Sequence, residues 1–260
     1  MLRLVDDGGF TIQFGEQIEF TIDGSGQNIW TTALNGDAAA SASTYLYGLV
    51  LGLALYLQGK TCLHASAVAI DGRAILFVGD AGYGKSSLAA AFAVQGFPLI
   101  SDDLAVLLPQ HGTFWIPPAL PAIRLRPDFT ALLFGEEGTL PEDDAQWDKR
   151  RFEIGETSSL FIQEPKQLAA IYLLSRANLS GAGNAIAQLT PREALLNLSR
   201  FGYLPNLMDS KMHRAEFEML ASLVLAIPVR QLPRLDDAAG VPDLCRRIVT
   251  YLRSSPDATF

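Results

Sequence analysis

The sequence predicts an α/β fold in which helices pack on a mixed β-sheet. Three observations carry this expectation. An apolar strand, Ala74 to Val78, runs into a glycine-rich loop and then into an alanine-rich helix, Ser86 to Gln95. The pair Asp71-Gly72 separates two strand-like runs, Thr61–Ile70 and Arg73–Val78, which is a strong short-range signal for a hairpin. Strand patterns dominate the first half of the chain, and helical ones its last third.

The remaining elements follow in order. Phe10, Ile12 and Phe14, then Ile18, Phe20 and Ile22, alternate with polar residues around Gly15-Glu16, the period of an antiparallel hairpin. Asp23-Gly24-Ser25-Gly26 reads as a loop, and Ser41 to Gln58 as a buried helix. Gly96 closes the helix after the glycine-rich loop, and Phe97 to Asp102 is a short strand ending in acids. Leu104–Leu108 and Thr113–Ile116 form a further hairpin around Pro109-Gln110-His111-Gly112. Residues Gly135 to Asp144 are acidic and expected in a surface loop, and Ala169 to Ser175 is a buried strand. Thr190-Pro191-Arg192-Glu193 has the form of a capping box with proline at the first helical position. Helices are expected over Ser210–Ala226 and Pro242–Leu252, with a strand at Val229–Leu232. The expected organisation is an N-terminal hairpin and helix over 1–60, a nucleotide-binding domain over 61–253 and a tail over 254–260.

Composition narrows the function classes. Hydrophobic residues make up 49% and charged residues 18%, enough for a substantial core and unlike a disordered chain. The net charge is −8, with 28 acids against 20 bases and no basic block, so nucleic acid is not expected as a partner. Cys62 and Cys245 lie far apart in apolar surroundings and are read as buried thiols in a reducing cytoplasm. The apolar run from Tyr45 to Leu57 is about 13 residues, short of the roughly 20 that span a bilayer, so no membrane segment is expected.

Gly79-Asp80-Ala81-Gly82-Tyr83-Gly84-Lys85-Ser86 fits the pattern G-x-x-x-x-G-K-S/T at every required position. Glycines let such a loop wrap so that successive N–H groups face phosphate oxygens, and the helix opening at its end adds a positive dipole. The expected phosphate contacts run from Gly79 through Ser87. Lys85 reaches the β and γ phosphates, and the Ser86 hydroxyl ligates Mg²⁺. ATP and Mg²⁺ are the expected cofactors.

A right-handed β-α-β crossover places the strand Leu99–Asp102 parallel to the loop's strand, so Asp102 and Asp103 emerge near the bound phosphates. Adjacent strand residues face opposite ways, so the two carboxylates converge only if the chain bends there. One of them holds Mg²⁺, with Asp102 the metal candidate, while the other takes a proton from an attacking hydroxyl; which is the base stays open. If Asp71-Gly72 is a two-residue turn, Ile70 pairs with Arg73 and His64 falls opposite Gly79. An imidazole there can hydrogen-bond an aspartate or the transferring phosphoryl group.

Leu63-His64-Ala65-Ser66-Ala67-Val68, the phosphate loop close behind it, and Gly96-Phe97-Pro98-Leu99-Ile100-Ser101-Asp102-Asp103 together resemble the HPr kinase/phosphorylase family and its shorter relatives. The resemblance is specific from about His64 to Asp103 and loose elsewhere. It implies a fold related to phosphoenolpyruvate carboxykinase, ATP with Mg²⁺, and phosphorylation of serine on a protein or peptide. It also implies Asp103 or Asp102 as general base, with His64 in support and Lys85 on the phosphates. The family's glutamate- and arginine-containing signature is replaced here by Pro121-Ala122-Ile123-Arg124-Leu125-Arg126-Pro127-Asp128, a departure at the point that concerns the phosphocarrier substrate and reverse phosphorylase activity. Some relatives of this size modify small peptides, including lasso-peptide precursors.

Weaker candidates complete the set. Arg124 and Arg126 lie on one face of an expected strand and suit a phosphate or an acidic substrate terminus. Lys149 and Arg150, in the run Asp148-Lys149-Arg150-Arg151 after the acidic loop, suit a lid over the γ-phosphate. His111 and His213 are expected at the surface, and Arg200-Phe201-Gly202-Tyr203 in a structural role. No Asn-Lys-x-Asp element of a GTPase is present. Two rival functions remain beside a serine kinase: a small-molecule kinase, and a nucleotide-binding regulatory or assembly protein without phosphotransfer. The oligomeric state is open, a homo-oligomer included.

Overall fold

The computed structural model describes residues 2–5, 8–35, 42, 45–126, 129–130, 133, 150–155, 158–175, 185–203, 210–232 and 240–254. The acidic segment at 135–144, Lys149 and residues 255–260 lie outside this set. In chain order the first elements are β1 (Leu2–Leu4), β2 (Phe10–Phe14), β3 (Ile18–Ile22), β4 (Ile29–Ala33), α1 (Leu51–Leu57), β5 (Thr61–Leu63) and β6 (Ala65–Ile70). They continue with β7 (Arg73–Gly79), α2 (Lys85–Val94), β8 (Leu99–Ser101), β9 (Ala105–Gln110), β10 (Thr113–Ile116), β11 (Ala122–Leu125) and β12 (Arg150–Glu153). The last are β13 (Lys166–Leu174), β14 (Ala187–Gln188), α3 (Pro191–Leu198), α4 (Ser210–Ala226), β15 (Val229–Leu232) and α5 (Val241–Ser254). Among the described residues no helix is long and apolar enough to cross a membrane. The chain divides into two compact units, Met1–Cys62 with Gly202–Glu216, and Leu63–Phe201 with Phe217–Phe260.

In the first unit, β1 to β4 form an antiparallel sheet in sequence order. The expected hairpin is its centre, pairing Phe10 with Ile22 and Phe14 with Ile18. Ile12, Ile18, Phe20 and Ile22 are buried, as the period of two requires. The flanking strands escape the pattern, because β1 is three residues long and β4 is largely exposed. The helix expected from Ser41 is described as a π-helical turn over Leu46–Val50 leading into α1, with Gly48 departing from helical angles.

A buried polar cluster ties this unit together. The Tyr56 hydroxyl shares its proton between Glu216 Oε1 at 2.8 Å and the Cys62 carbonyl at 3.0 Å, and accepts from the Tyr203 N–H at 3.0 Å. Burial raises the proton affinity of Glu216 and, with the Glu216 charge, pushes the Cys62 thiol up to about 12. The folded protein therefore holds the Glu216 proton more tightly than the unfolded chain does. Stability attached to that proton falls as pH rises from the ordinary carboxyl range through the raised folded value. Glu216→Gln keeps an oxygen acceptor for Tyr56 and removes this titration. The melting temperature of the variant relative to wild type should climb as pH rises above the ordinary carboxyl range; a difference independent of pH would show that burial does not raise Glu216.

The second unit is built on a mixed sheet in the order β9-β10-β13-β7-β6-β8, with β15 also beside β13 and β14 beside β15. β7 runs parallel to β13, and β13 parallel to β15. β6 is antiparallel to both β7 and β8, so β7 and β8 run the same way with β6 between them. The parallel relation expected of the crossover holds, and a strand of opposite direction fills the gap.

Alternation along the central strands feeds two cores. Ala65, Ala67, Ala69, Leu76 and Val78 face α3 and the Leu220, Leu223 and Val224 side chains. Val68, Ile70, Ile75 and Phe77 face α2 and the apolar stripe Leu244, Cys245, Ile248 and Leu252 of α5. α3 begins at the expected capping box, Thr190 accepting from the Glu193 N–H and Glu193 from the Thr190 N–H. The β9–β10 turn is tighter than expected: β9 runs on through Pro109 and Gln110, leaving His111-Gly112 as the turn, with His111 at φ 49°.

Candidate active site

The hairpin register fixes where the histidine lies. Ile70 pairs with Arg73 and Ala65 with Val78, so the next position on each side is His64 and Gly79. The run Thr61–Ile70 is not one continuous strand: it breaks at His64, between β5 and β6. The His64 N–H is held there by the Phe201 carbonyl at 2.9 Å.

The loop follows from the end of β7. A Cβ at Gly79 would lie 2.7 Å from the Leu174 carbonyl, so only glycine lets β13 and the loop approach this closely. Gly82 and Gly84 adopt φ of 81° and 88°, and Gly84 caps α2 in the left-handed region. Neither the Gly82 nor the Gly84 N–H is bonded to another of the described residues, at the positive end of a ten-residue helix. Lys85 is buried, its ammonium donating to the Gly79 carbonyl at 2.8 Å and the Asp80 carbonyl at 3.2 Å. Ser86 is buried beside it. Glycine geometry, open N–H groups and an enclosed ammonium fit a polyphosphate.

The bend that two converging carboxylates require is present. Asp103 has φ 69°, in the left-handed region, and the Leu104 N–H closes back on the Asp102 carbonyl at 2.9 Å. Asp102 accepts at Oδ1 from the Ser66 hydroxyl at 2.5 Å and at Oδ2 from the Arg124 N–H at 2.9 Å. Desolvation raises the proton affinity of Asp102, and the Asp103 charge adds to this, while the Arg124 and Ser66 donors oppose it.

Asp103 faces the other way. Its Oδ1 lies 3.1 Å from His64 Nδ1 and its Oδ2 3.8 Å from an Arg124 guanidinium nitrogen. The three side chains are 25%, 35% and 32% exposed for Asp103, His64 and Arg124, so a substrate group can reach them. The loop, His64, Asp102, Asp103 and Arg124 thus meet at one edge of the sheet.

Two expectations change. Arg124 and Arg126 do not share a strand, because β11 ends at Leu125. Arg150 and Arg151 are not in a loop: they sit in β12, opposite Leu125 and Arg124, and Arg151 bonds Glu153 at 2.9 Å. His213 is exposed as expected. Ser66 joins the cluster although the sequence reading gave it no role.

No family model matches the chain. Over 65 residues, 24% of its length, it is 43% identical to the HPr kinase/phosphorylase of Mycoplasmopsis pulmonis (strain UAB CTIP). Over that stretch the sequence is similar to an HPr kinase/phosphorylase. The matched stretch spans 21% of that relative's own length. A structure of the Hpr(Ser) kinase/phosphatase from Coxiella burnetii superposes with a TM-score of 0.41 at 16% identity, covering 74% of this chain and 88% of that one. This chain brings Gly79 close against the Leu174 carbonyl of β13. Gly79→Ala should destabilise it by about 1–3 kcal/mol in urea unfolding, through the clash with the Leu174 carbonyl; unchanged stability would show that the two strands separate without cost.

Proposed function

We propose that this chain transfers the γ-phosphoryl group of ATP to a serine hydroxyl of a protein or peptide, with the chemistry in residues 61–253. The observation that carries the reading is the His64–Asp103 pair standing beside the phosphate-type loop, at the edge where β7 and β8 both end. A protein that only bound nucleotide would not require a carboxylate paired with an imidazole there.

The residues divide the work as follows. The N–H groups from Gly79 to Ser87, through Asp80, Ala81, Gly82, Tyr83 and Gly84, hold the phosphates, and Lys85 leaves its carbonyl partners for the β and γ oxygens. Mg²⁺, when bound, neutralises charge on the β and γ oxygens. Ser86 is its ligand on this chain, with Asp102 the second candidate. Asp103 accepts the proton of the serine as its oxygen bonds to the γ-phosphorus. The bond from that phosphorus to the β–γ bridging oxygen breaks, and ADP leaves with the electron pair. His64, on Oδ1 of Asp103, fixes the carboxylate and shares the proton it gains. Arg124, on Oδ2, orients Asp103 and offers its guanidinium to a phosphate or an acidic group near the acceptor serine.

The 43% identity with an HPr kinase/phosphorylase supports a kinase over a nucleotide sensor. The replaced signature at 121–128 favours a peptide acceptor over a phosphocarrier protein. Two buried free thiols, Cys62 and Cys245, fit a reducing cytoplasmic setting.

Incubation with Mg²⁺, labelled ATP and serine-containing peptides encoded beside the gene should add one phosphate to the peptide. Asp103→Asn should lower the rate by roughly 10²–10⁴-fold while nucleotide still binds. Transfer that survives both Asp103→Asn and Asp102→Asn would remove the base from this mechanism.

A further inference from the structure

The first unit holds a cavity of about 250 Å³, lined from the stretch Tyr56 to Thr61 and from the opening turns of α4. That is several times the roughly 30 Å³ a water occupies, so the cavity has room for a small organic molecule. Among the described residues its base is made of buried groups, Tyr56, Thr61 and Glu216, and its mouth of two exposed lysines, Lys60 and Lys211. Leu57 and Met212 add apolar lining.

Charge is divided within this lining. Glu216 is 7% exposed, and its Oε1 bonds the Tyr56 hydroxyl at 2.8 Å. A Cβ on Gly202 would collide with the same oxygen, so the carboxyl is backed against main chain there. Among the described residues no donor bonds Oε2, the other oxygen. Oε2 accepts a hydrogen bond whether the group is ionised or carries a proton on the side of Tyr56. Among the described residues neither Lys60 nor Lys211 is ion-paired with Glu216 or with any other acid. Opposite charges thus line one cavity without touching.

A ligand that bridges them has a defined chemistry. At the base an ammonium on Oε2 supplies the counter-charge that a buried carboxylate lacks. At the mouth a carboxylate answers the two lysines, and a short apolar group suits Leu57 and Met212. A free α-amino acid carries all three groups on one carbon. We propose that this cavity binds a small zwitterionic α-amino acid with an apolar side chain, its ammonium on Glu216 Oε2 and its carboxylate toward Lys60 and Lys211. The site lies within the first unit, and the inference does not depend on the phosphoryl-transfer reading.

The test is a calorimetric titration of L-alanine, L-valine and L-leucine into the full chain. The analogues of valine that lack one charged group, isovalerate without the amine and isobutylamine without the carboxylate, are titrated beside them. Valine should bind saturably, one to one, at millimolar concentration or tighter, and each analogue should bind weaker by roughly tenfold or more. Glu216→Gln removes the anionic acceptor and should weaken valine binding by roughly 10–100-fold. Changing both exposed lysines, Lys60→Met with Lys211→Met, should bring valine down to the affinity of isobutylamine. No saturable binding of any of the three amino acids overturns the inference. So does isovalerate binding as tightly as valine, since that marks an anion site made by the lysines alone. Wild-type valine affinity in Glu216→Gln also overturns it; if that variant does not fold, wild-type affinity in the double lysine variant does so instead.

Discussion

The carboxylate of Asp102 is where the second unit's separate pieces are tied. Donors reach it from β6 through the Ser66 hydroxyl and from β11 through the Arg124 N–H. Desolvation alone would favour the protonated acid, and each of these donors works against that. If one is lost, the buried carboxylate loses part of what offsets its burial, and β6 or β11 loses a tie to the site. The site's geometry is therefore a consequence of satisfying one carboxylate. Asp103, the next residue, is turned outward by the same bend that turns Asp102 inward.

Strand order explains why the catalytic candidates come from such different parts of the sequence. A simple crossover would set β8 directly against β7. Here β6 is inserted between them in the opposite sense, so the residues preceding it arrive where β7 and β8 end. That insertion delivers His64 to Asp103 and Ser66 to Asp102. The alanines and serine of β6 have small side chains, which suit a strand covered on both faces by helices.

Much of this was legible beforehand because the signals are local. The loop's glycines, the Asp71-Gly72 turn and the capping box at Thr190 each act over a few residues, and each is found where the pattern places it. Counting residues back from the Asp71-Gly72 turn placed His64 opposite Gly79, within reach of an aspartate or a phosphoryl group, and the structure sets it on Asp103. Other features depend on partners distant in sequence and left no local trace. β4 is exposed along most of its length, and β12 follows a charged run that reads as loop, yet both are strands because a neighbour supplies hydrogen bonds. Ser66 looks like any small residue in an apolar strand until Asp102, 36 positions later, is placed against it.

The central claim is that the loop, the imidazole and the two acids form one phosphoryl-transfer pocket. A crystal structure of the wild-type chain with Mg²⁺ and a non-hydrolysable ATP analogue tests it most directly. The account predicts terminal phosphates against the N–H groups from Gly79 to Ser86, the cation on the Ser86 hydroxyl, and Asp103 facing the γ-phosphate with His64 still on its far oxygen. A nucleotide bound elsewhere, or a γ-phosphate with Asp103 turned away from it, would contradict it.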